Sequence, residues 1–190
     1  AYIKALDMVT DREIKAFIIR QLEIVGKDEA IGKLSSFLNN KELSGPATRA
    51  LVAIGKRSGD TGTVLLKALD SAADDKSKKD ILIALAELKV ATAESQLNKV
   101  QEHASDPDLR NIGIYAISQC GSTTALKTLA AAAERTNYAP EKSGATEAYI
   151  ALIKRVLVQG DVKEAEKAAT DLMKATEKTG QQKVRGAAIE

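Results

Sequence analysis

Apolar residues recur along this chain at the three- and four-residue spacing of one face of an α-helix. The first such run is Ile14, Phe17, Ile18, Leu22 and Val25, with polar residues between them. This period predicts an amphipathic helix. Thr10 and Glu13 stand where a capping box would start that helix, and Gly26 suits a left-handed residue just after its end.

The same pattern returns often enough to predict five helical hairpins. The predicted helix pairs span about 11–25 and 28–38, 46–54 and 61–72, 76–88 and 91–104, 107–120 and 122–135, and 145–159 and 161–178. The first helix of each pair leads to an anchor position, and these are Gly26, Gly55, Lys89, Gly121 and Gly160. The anchors lie roughly 29 to 39 residues apart, which is the period of a helical repeat array.

The second helices agree with one another when the hairpins are aligned on these anchors. The matching positions are Ala30, Ile31, Leu34 and Leu38, then Ala125, Leu126, Leu129 and Ala133, then Glu164, Ala165, Ala168 and Leu172. Most of these residues are apolar, so we predict that they face the core. We expect Phe17 and Phe37 in the core as well, and Tyr115 and Tyr149 in either the core or a groove.

Two segments resemble HEAT repeats, in particular the compact bacterial type related to bilin-lyase HEAT-like repeats. One is the run Pro46–Gly55, and the other is the acidic-proline start Asp106–Arg110 followed by Gly121. The resemblance implies an all-α fold, a right-handed α-α superhelix (solenoid) of about five HEAT-like hairpins. It also implies a scaffold for protein contacts, and it transfers no catalytic residue to this chain.

We expect residues 1–190 to form a single HEAT-like repeat array. The first residues read as the end of an earlier second helix, and residues 184–189 read as the start of a further first helix. Arrays require polar capping repeats at their ends, and neither end offers a clear one. This pattern predicts that the chain is a fragment of a longer protein.

The charge and composition favour no particular partner. The chain has 28 Lys and Arg against 26 Asp and Glu, a formal net charge of only +2, which gives little long-range attraction for nucleic acid or an anionic membrane. No apolar run approaches the roughly 18 residues that a membrane-spanning helix requires. One cysteine, Cys120, excludes an intrachain disulfide but leaves the compartment open.

The residues with reactive side chains favour structural roles. His103 is expected in the exposed last turn of a helix, and Cys120 in an apolar core position. The glycine-containing segment 58–63 lacks the lysine of a phosphate-binding loop and is expected to be a turn, and Asp75 is expected to be a helix N-cap. The sequence therefore predicts no catalytic residue, no metal ligand and no cofactor, and the protein is expected not to be an enzyme.

Protein binding through the helical surface is the function that this pattern favours. The candidate contact residues on the second helices and the inserted loop are Lys27, Lys33, Lys67, Gln96, Lys99, Lys127, Lys163 and Tyr138. The partner is a separate protein or a neighbouring domain of the same polypeptide. Two alternatives stay open: an accessory domain that positions a catalytic, carbohydrate-active domain in an exported bacterial protein, and a nucleic-acid-binding helical-repeat protein.

Overall fold

A computed structural model describes residues 1–57, 59–179 and 181–189, and this part of the chain contains helices and turns but no strand. The predicted all-α fold class is therefore confirmed. The helices are α1 (Tyr2–Met8), α2 (Arg12–Val25), α3 (Ile31–Ser35), α4 (Ser44–Arg57), α5 (Gly62–Ser71), α6 (Asp75–Glu87), α7 (Glu94–His103), α8 (Pro107–Cys120), α9 (Ala125–Arg135), α10 (Ala145–Val158), α11 (Val162–Thr179) and α12 (Gln182–Ile189). Short 3-10 turns, Asp28–Ala30 and Ala91–Ala93, precede α3 and α7.

The helices form two compact units, Ala1–Val90 and Ala91–Glu190. In the first unit, α2 packs against α4 and α4 against α6, so the first helices of the hairpins lie side by side. The remaining helices cover them, α1 on α2, α3 on α4 and α5 on α6. The most deeply buried side chains are aliphatic, as the helical periodicity predicts, and include Ile19, Leu34, Leu51, Leu65 and Leu85.

The second unit repeats this arrangement. Its first helices α8 and α10 pack together, while α7 packs on α8, α9 on α10 and α11 on α12. The matched second-helix positions are buried at Ala125, Leu126, Leu129 and Ala133, and at Ala165, Ala168 and Leu172, whereas Glu164 is exposed. The sequence alignment of the hairpins thus predicted most of the core on these helices.

Three aspartates act as N-caps and fix where first helices begin. Asp11 accepts a hydrogen bond from the Ile14 amide at 2.9 Å, Asp74 accepts one from the Ser77 amide at 2.9 Å, and Asp106 caps α8. The predicted caps at Thr10 and Asp75 were each wrong by one residue. In both places two neighbouring residues have a side-chain oxygen that could cap the helix, and the backbone conformation decides which of the two does so.

Glycine at two anchors is required by a close approach, not by a left-handed backbone. Gly26 has φ −67° and Gly121 has φ −62°, so the left-handed conformation predicted for Gly26 was wrong. A Cβ on Gly121 would lie 2.7 Å from the Ile117 carbonyl oxygen, and one on Gly26 would crowd the Leu22 carbonyl oxygen in the same way. The anchor Gly55 lies inside α4, which continues to Arg57.

A left-handed residue does end two other first helices. Lys89 has φ 51° after α6, and Gly160 has φ 98° after α10. At both ends the amide of the left-handed residue and the next amide donate to carbonyls of the last turn. The pairs are Lys89 to Ala86 and Val90 to Leu85, then Gly160 to Leu157 and Asp161 to Val156. These are the two hydrogen bonds of a Schellman motif, formed once with lysine and once with glycine.

An arginine links successive first helices in each unit. Arg57 of α4 donates to the carbonyl oxygens of Glu23 and Gly26, both at 3.0 Å, where α2 ends. Arg155 of α10 donates to the carbonyl oxygens of Gln119 and Gly121, where α8 ends. The last carbonyl groups of a helix have no hydrogen-bond donor within the helix. Each guanidinium therefore donates to carbonyl oxygens that helix packing alone would leave without a donor.

The aromatic residues do not all lie where the pattern predicts. Phe17 is 53% exposed, so its predicted core position was wrong. The buried face of α2 contains Ile18 and Leu22, and Phe17 lies about 100° around the helix from Ile18. Tyr149 is buried and Tyr115 is exposed, and Cys120 lies in the core as predicted.

Candidate functional site

A groove lies between α9 and α11 in the second unit. It encloses about 360 Å³, and its lining residues are Thr123, Leu126, Lys127, Ala130, Tyr149, Glu164, Lys167, Ala168 and Asp171. We call it the α9–α11 groove. The small side chains Ala130 and Ala168 contribute to the gap, because alanine leaves space that a longer side chain would fill. Its volume falls within the range of ordinary ligand pockets.

The floor of the groove is apolar and includes one buried hydroxyl group. Tyr149 of α10 is 4% exposed, and its hydroxyl donates to the Ala168 carbonyl oxygen at 3.3 Å. Burial, and next the nearby Asp171 carboxylate, raise the pKa of Tyr149 to about 12. The phenol is therefore neutral at physiological pH and fixes α10 to α11 as a hydrogen-bond donor.

Four charged side chains surround this floor. Lys127 comes from α9, and Glu164, Lys167 and Asp171 come from α11. All four residues are exposed, and none forms a hydrogen bond or an ion pair with any residue that the structure describes. Elsewhere, surface charges do pair, for example Lys56 with Glu87 at 2.9 Å.

The inserted loop places Tyr138 near one end of the groove. Two left-handed residues follow the end of α9, Asn137 with φ 51° and Tyr138 with φ 56°. The Tyr138 amide donates to the Ala133 carbonyl oxygen at 2.9 Å. Partial burial raises the pKa of Tyr138, and the carboxylates of Glu134 and Asp171 raise it further. The phenol ring is half-buried and close to Asp171, which lines the groove.

The structure brings two of the eight predicted contact residues to this groove, Lys127 as a lining residue and Tyr138 near Asp171. Lys163, Gln96 and Lys99 belong to the same unit but do not line it. In the other unit, Lys27 and Lys67 are exposed, whereas Lys33 pairs with Asp7 and lies 5.6 Å from the centre of the Phe37 ring.

Sequence reasoning did not select Lys167, Asp171 and Tyr149 as site residues. A signal was present, since Glu164, Lys167 and Asp171 follow one another at helical spacing on α11. What the sequence lacks is the distance between α9 and α11, which decides whether such residues line a gap or lie on an open surface.

Two further cavities lie on other surfaces. One of about 300 Å³ separates parts of α8 and α10 and is lined by the exposed Tyr115 together with Ser118, Gln119, Ser143, Gly144, Glu147, Ala148 and Ala151. The other, about 470 Å³ in the first unit, is lined by Arg12, Glu13, Ala16, Arg20, Glu42, Leu43 and Pro46. There Arg12 already pairs with Glu42 at 2.8 Å, so part of its charge is used internally.

The residues considered for reactive chemistry have ordinary surroundings. Exposed His103 lies in the last turn of α7, with Nδ1 3.0 Å from the Lys99 carbonyl oxygen. In the segment 58–63, Ser58 lies outside the described residues, and the Thr63 hydroxyl donates to the Asp60 carboxylate at 3.2 Å. Within the described ranges, no group of three His, Cys, Asp or Glu side chains is arranged to hold a metal ion.

Comparison with known proteins adds no family to this description. Neither the protein-family models nor the curated proteins contain a match to the chain. Among the described helices, none has both the length and the apolar character needed to cross a membrane.

Proposed function

We propose that this protein is a non-enzymatic interaction scaffold built from HEAT-like helical hairpins that follow one another in a right-handed superhelix. Two observations support the repeat architecture. First helices pack on first helices within each unit, and in each unit an arginine binds the terminal carbonyls of the preceding first helix. A repeated contact of this kind is expected where hairpins of one type stack on their neighbours.

The α9–α11 groove is the observation on which the binding function rests. It combines an apolar floor with four charged side chains at its rim that form no hydrogen bond or ion pair with the described residues. Ligand and peptide sites commonly pair an apolar surface with a few polar groups that fix orientation. Because helices supply the walls, the protein loses little conformational entropy when a partner binds.

Selection of peptides from a phage-displayed library against the immobilised chain tests this proposal. The blocking variant is Ala130→Trp, which fills the groove, and the matched control is Ala131→Trp on the exposed side of α9. We expect selected peptides to bind the control as they bind the unmodified protein and to lose at least about tenfold in affinity for the blocked variant. Thermal unfolding followed by circular dichroism establishes that both variants fold.

If Ala130→Trp does not fold, the milder Ala130→Leu replaces it in the same comparison. Selected peptides that bind all variants equally, or a failure to select any peptide, would refute the groove as the binding site.

A further inference from the structure

We propose that the α9–α11 groove binds an amphipathic helix whose charges run basic, acidic, basic along the face that enters the groove. This inference rests on the proposed function and adds the chemistry of the partner. The rim charges support it by their order, by their spacing and by forming no hydrogen bond or ion pair among the residues that the structure describes.

The order of the charges follows the course of α11. The helix α10 packs against both α9 and α11, and Asp171 of α11 and Glu134 at the end of α9 both lie near Tyr138. Glu164 lies in the first turn of α11, and Asp171 lies two turns later, near Tyr138 beyond the end of α9. Along α11, Lys167 lies between these two acidic residues, so this side of the rim reads acidic, basic, acidic. Lys127 comes from α9 on the other side of the groove.

A partner with the opposite order places a charge of the right sign at each position. The order basic, acidic, basic is the same in both directions along a helix, so the inference does not depend on which way the partner lies. Two lysines near each other would also attract a phosphate group, but Glu164 and Asp171 at the ends oppose a dianion. One carboxylate flanked by two cations matches the rim better.

The spacing of the charges favours a helix over an extended strand. Glu164, Lys167 and Asp171 lie three and four residues apart on a helix, which corresponds to steps of about 5 Å along the axis. A partner helix repeats these steps with residues i, i+3 or i+4, and i+7. An extended strand presents same-side residues about 6.6 Å apart and would lose register over the groove.

The apolar floor defines what lies between the partner's charges. Leu126, Ala130 and Ala168 together with the Tyr149 ring offer a surface for one or two aliphatic side chains. On a helix, residues next to the charged stripe supply such side chains, as in other complexes where an amphipathic helix enters a groove. The inferred partner is therefore an alanine- or leucine-containing helix with a Lys-Glu-Lys type of charge pattern.

A helix-forming peptide library tests this pattern. The library has 16-residue peptides with Leu at the central apolar positions and either Lys or Glu at i, i+4 and i+7. After selection on the unmodified protein, we expect Lys-Glu-Lys peptides to be enriched about tenfold over Glu-Lys-Glu peptides, an advantage that 0.5 M salt reduces. On the Lys127→Glu, Lys167→Glu double variant, we expect the central residue to change from Glu to Lys.

The matched control is Lys163→Glu, Lys174→Glu, which changes the net charge equally on exposed positions of α11 that do not line the groove. It should keep the preference of the unmodified protein. Peptides that require an unblocked groove but show no charge order would overturn this inference and leave the proposed function standing. If the peptides bind the Ala130→Trp variant as well as the unmodified protein, the proposed function itself fails.

Discussion

Replacing Lys89 with glycine should make the protein more stable, although it removes a side chain. Lys89 has φ 51°, a left-handed conformation that costs a residue with a Cβ about 1–2 kcal/mol. The side chain is exposed and forms no hydrogen bond or ion pair within the described residues, so its removal costs little folded-state energy. Glycine adds about 0.4–1 kcal/mol of unfolded-chain entropy. The expected net gain is therefore about 0.5–1 kcal/mol.

The Gly160→Lys substitution provides the reciprocal experiment. Gly160 closes α10 with the same pair of hydrogen bonds and has φ 98°, and a Cβ there would meet no atom within 4 Å. Lysine at this position therefore adds only backbone strain, and we expect a loss of about 1 kcal/mol. The variant that combines both changes should have nearly the stability of the unmodified chain.

Thermal and urea unfolding followed by circular dichroism at 222 nm measure these differences. For a chain of this size, a gain of 1 kcal/mol raises Tm by about 2–4 °C, and the urea m-value should not change. If Lys89→Gly lowers stability while Gly160→Lys also lowers it, the left-handed conformation is not the source of strain at Lys89. That result would refute the reasoning.

Substitutions at four other sites test separate contacts. Gly121→Ala should lower the free energy of unfolding by about 1–3 kcal/mol, because the new Cβ would crowd the Ile117 carbonyl oxygen. The control is Gly32→Ala, which should not destabilise the chain because a Cβ there meets nothing within 4 Å. Arg155→Met should lower the free energy of unfolding by about 2 kcal/mol, because it removes both hydrogen bonds of the guanidinium. Arg155→Lys should recover less than half of this loss, because one ammonium group does not reproduce the planar guanidinium with its two parallel donors. Partial burial acts to raise the pKa of Glu94, but hydrogen bonds from Thr124 and Ser122 lower it overall. We therefore expect Glu94→Gln to lower the free energy of unfolding by up to about 1 kcal/mol at pH 7. At pH 2 the Glu94 side chain is protonated and as neutral as glutamine, so the two proteins should be equally stable. Asp171→Asn should lower the pKa of Tyr149 from its value of about 12, measured by absorbance at 295 nm, and an unchanged titration would contradict the proximity of the two groups.

The sequence predicted the individual helices well because helical periodicity is a local property. The bounds of α8, Pro107–Cys120, agree with the prediction, and the others differ by a few residues. The prediction was wrong where two adjacent residues compete for one role, as with Thr10 and Asp11. It was also wrong for Phe17, because periodicity identifies a helical face but does not fix how wide the buried part of that face is.

The candidate groove was less predictable than the helices. Lys127 and Tyr138 were selected from the sequence. The sequence did not predict that Lys127 lines the same groove as Asp171 or that Tyr138 lies near Asp171. The groove exists because two second helices stand apart over a tyrosine, and this separation depends on the packing of three helices. No short sequence pattern in this chain reveals the distance between α9 and α11.

The pairing of helices in the first unit has a consequence for how the chain opens. There α3 and α5 pack on the first helix of the following hairpin, α4 and α6, more extensively than on the first helix of their own hairpin, α2 and α4. We therefore expect the cooperative units of unfolding to be offset by one helix from the hairpins that the sequence repeats define. In native-state hydrogen exchange, α3 should become protected together with α4, and a truncation that separates α2 from α3 should disturb fewer contacts than one that separates α3 from α4.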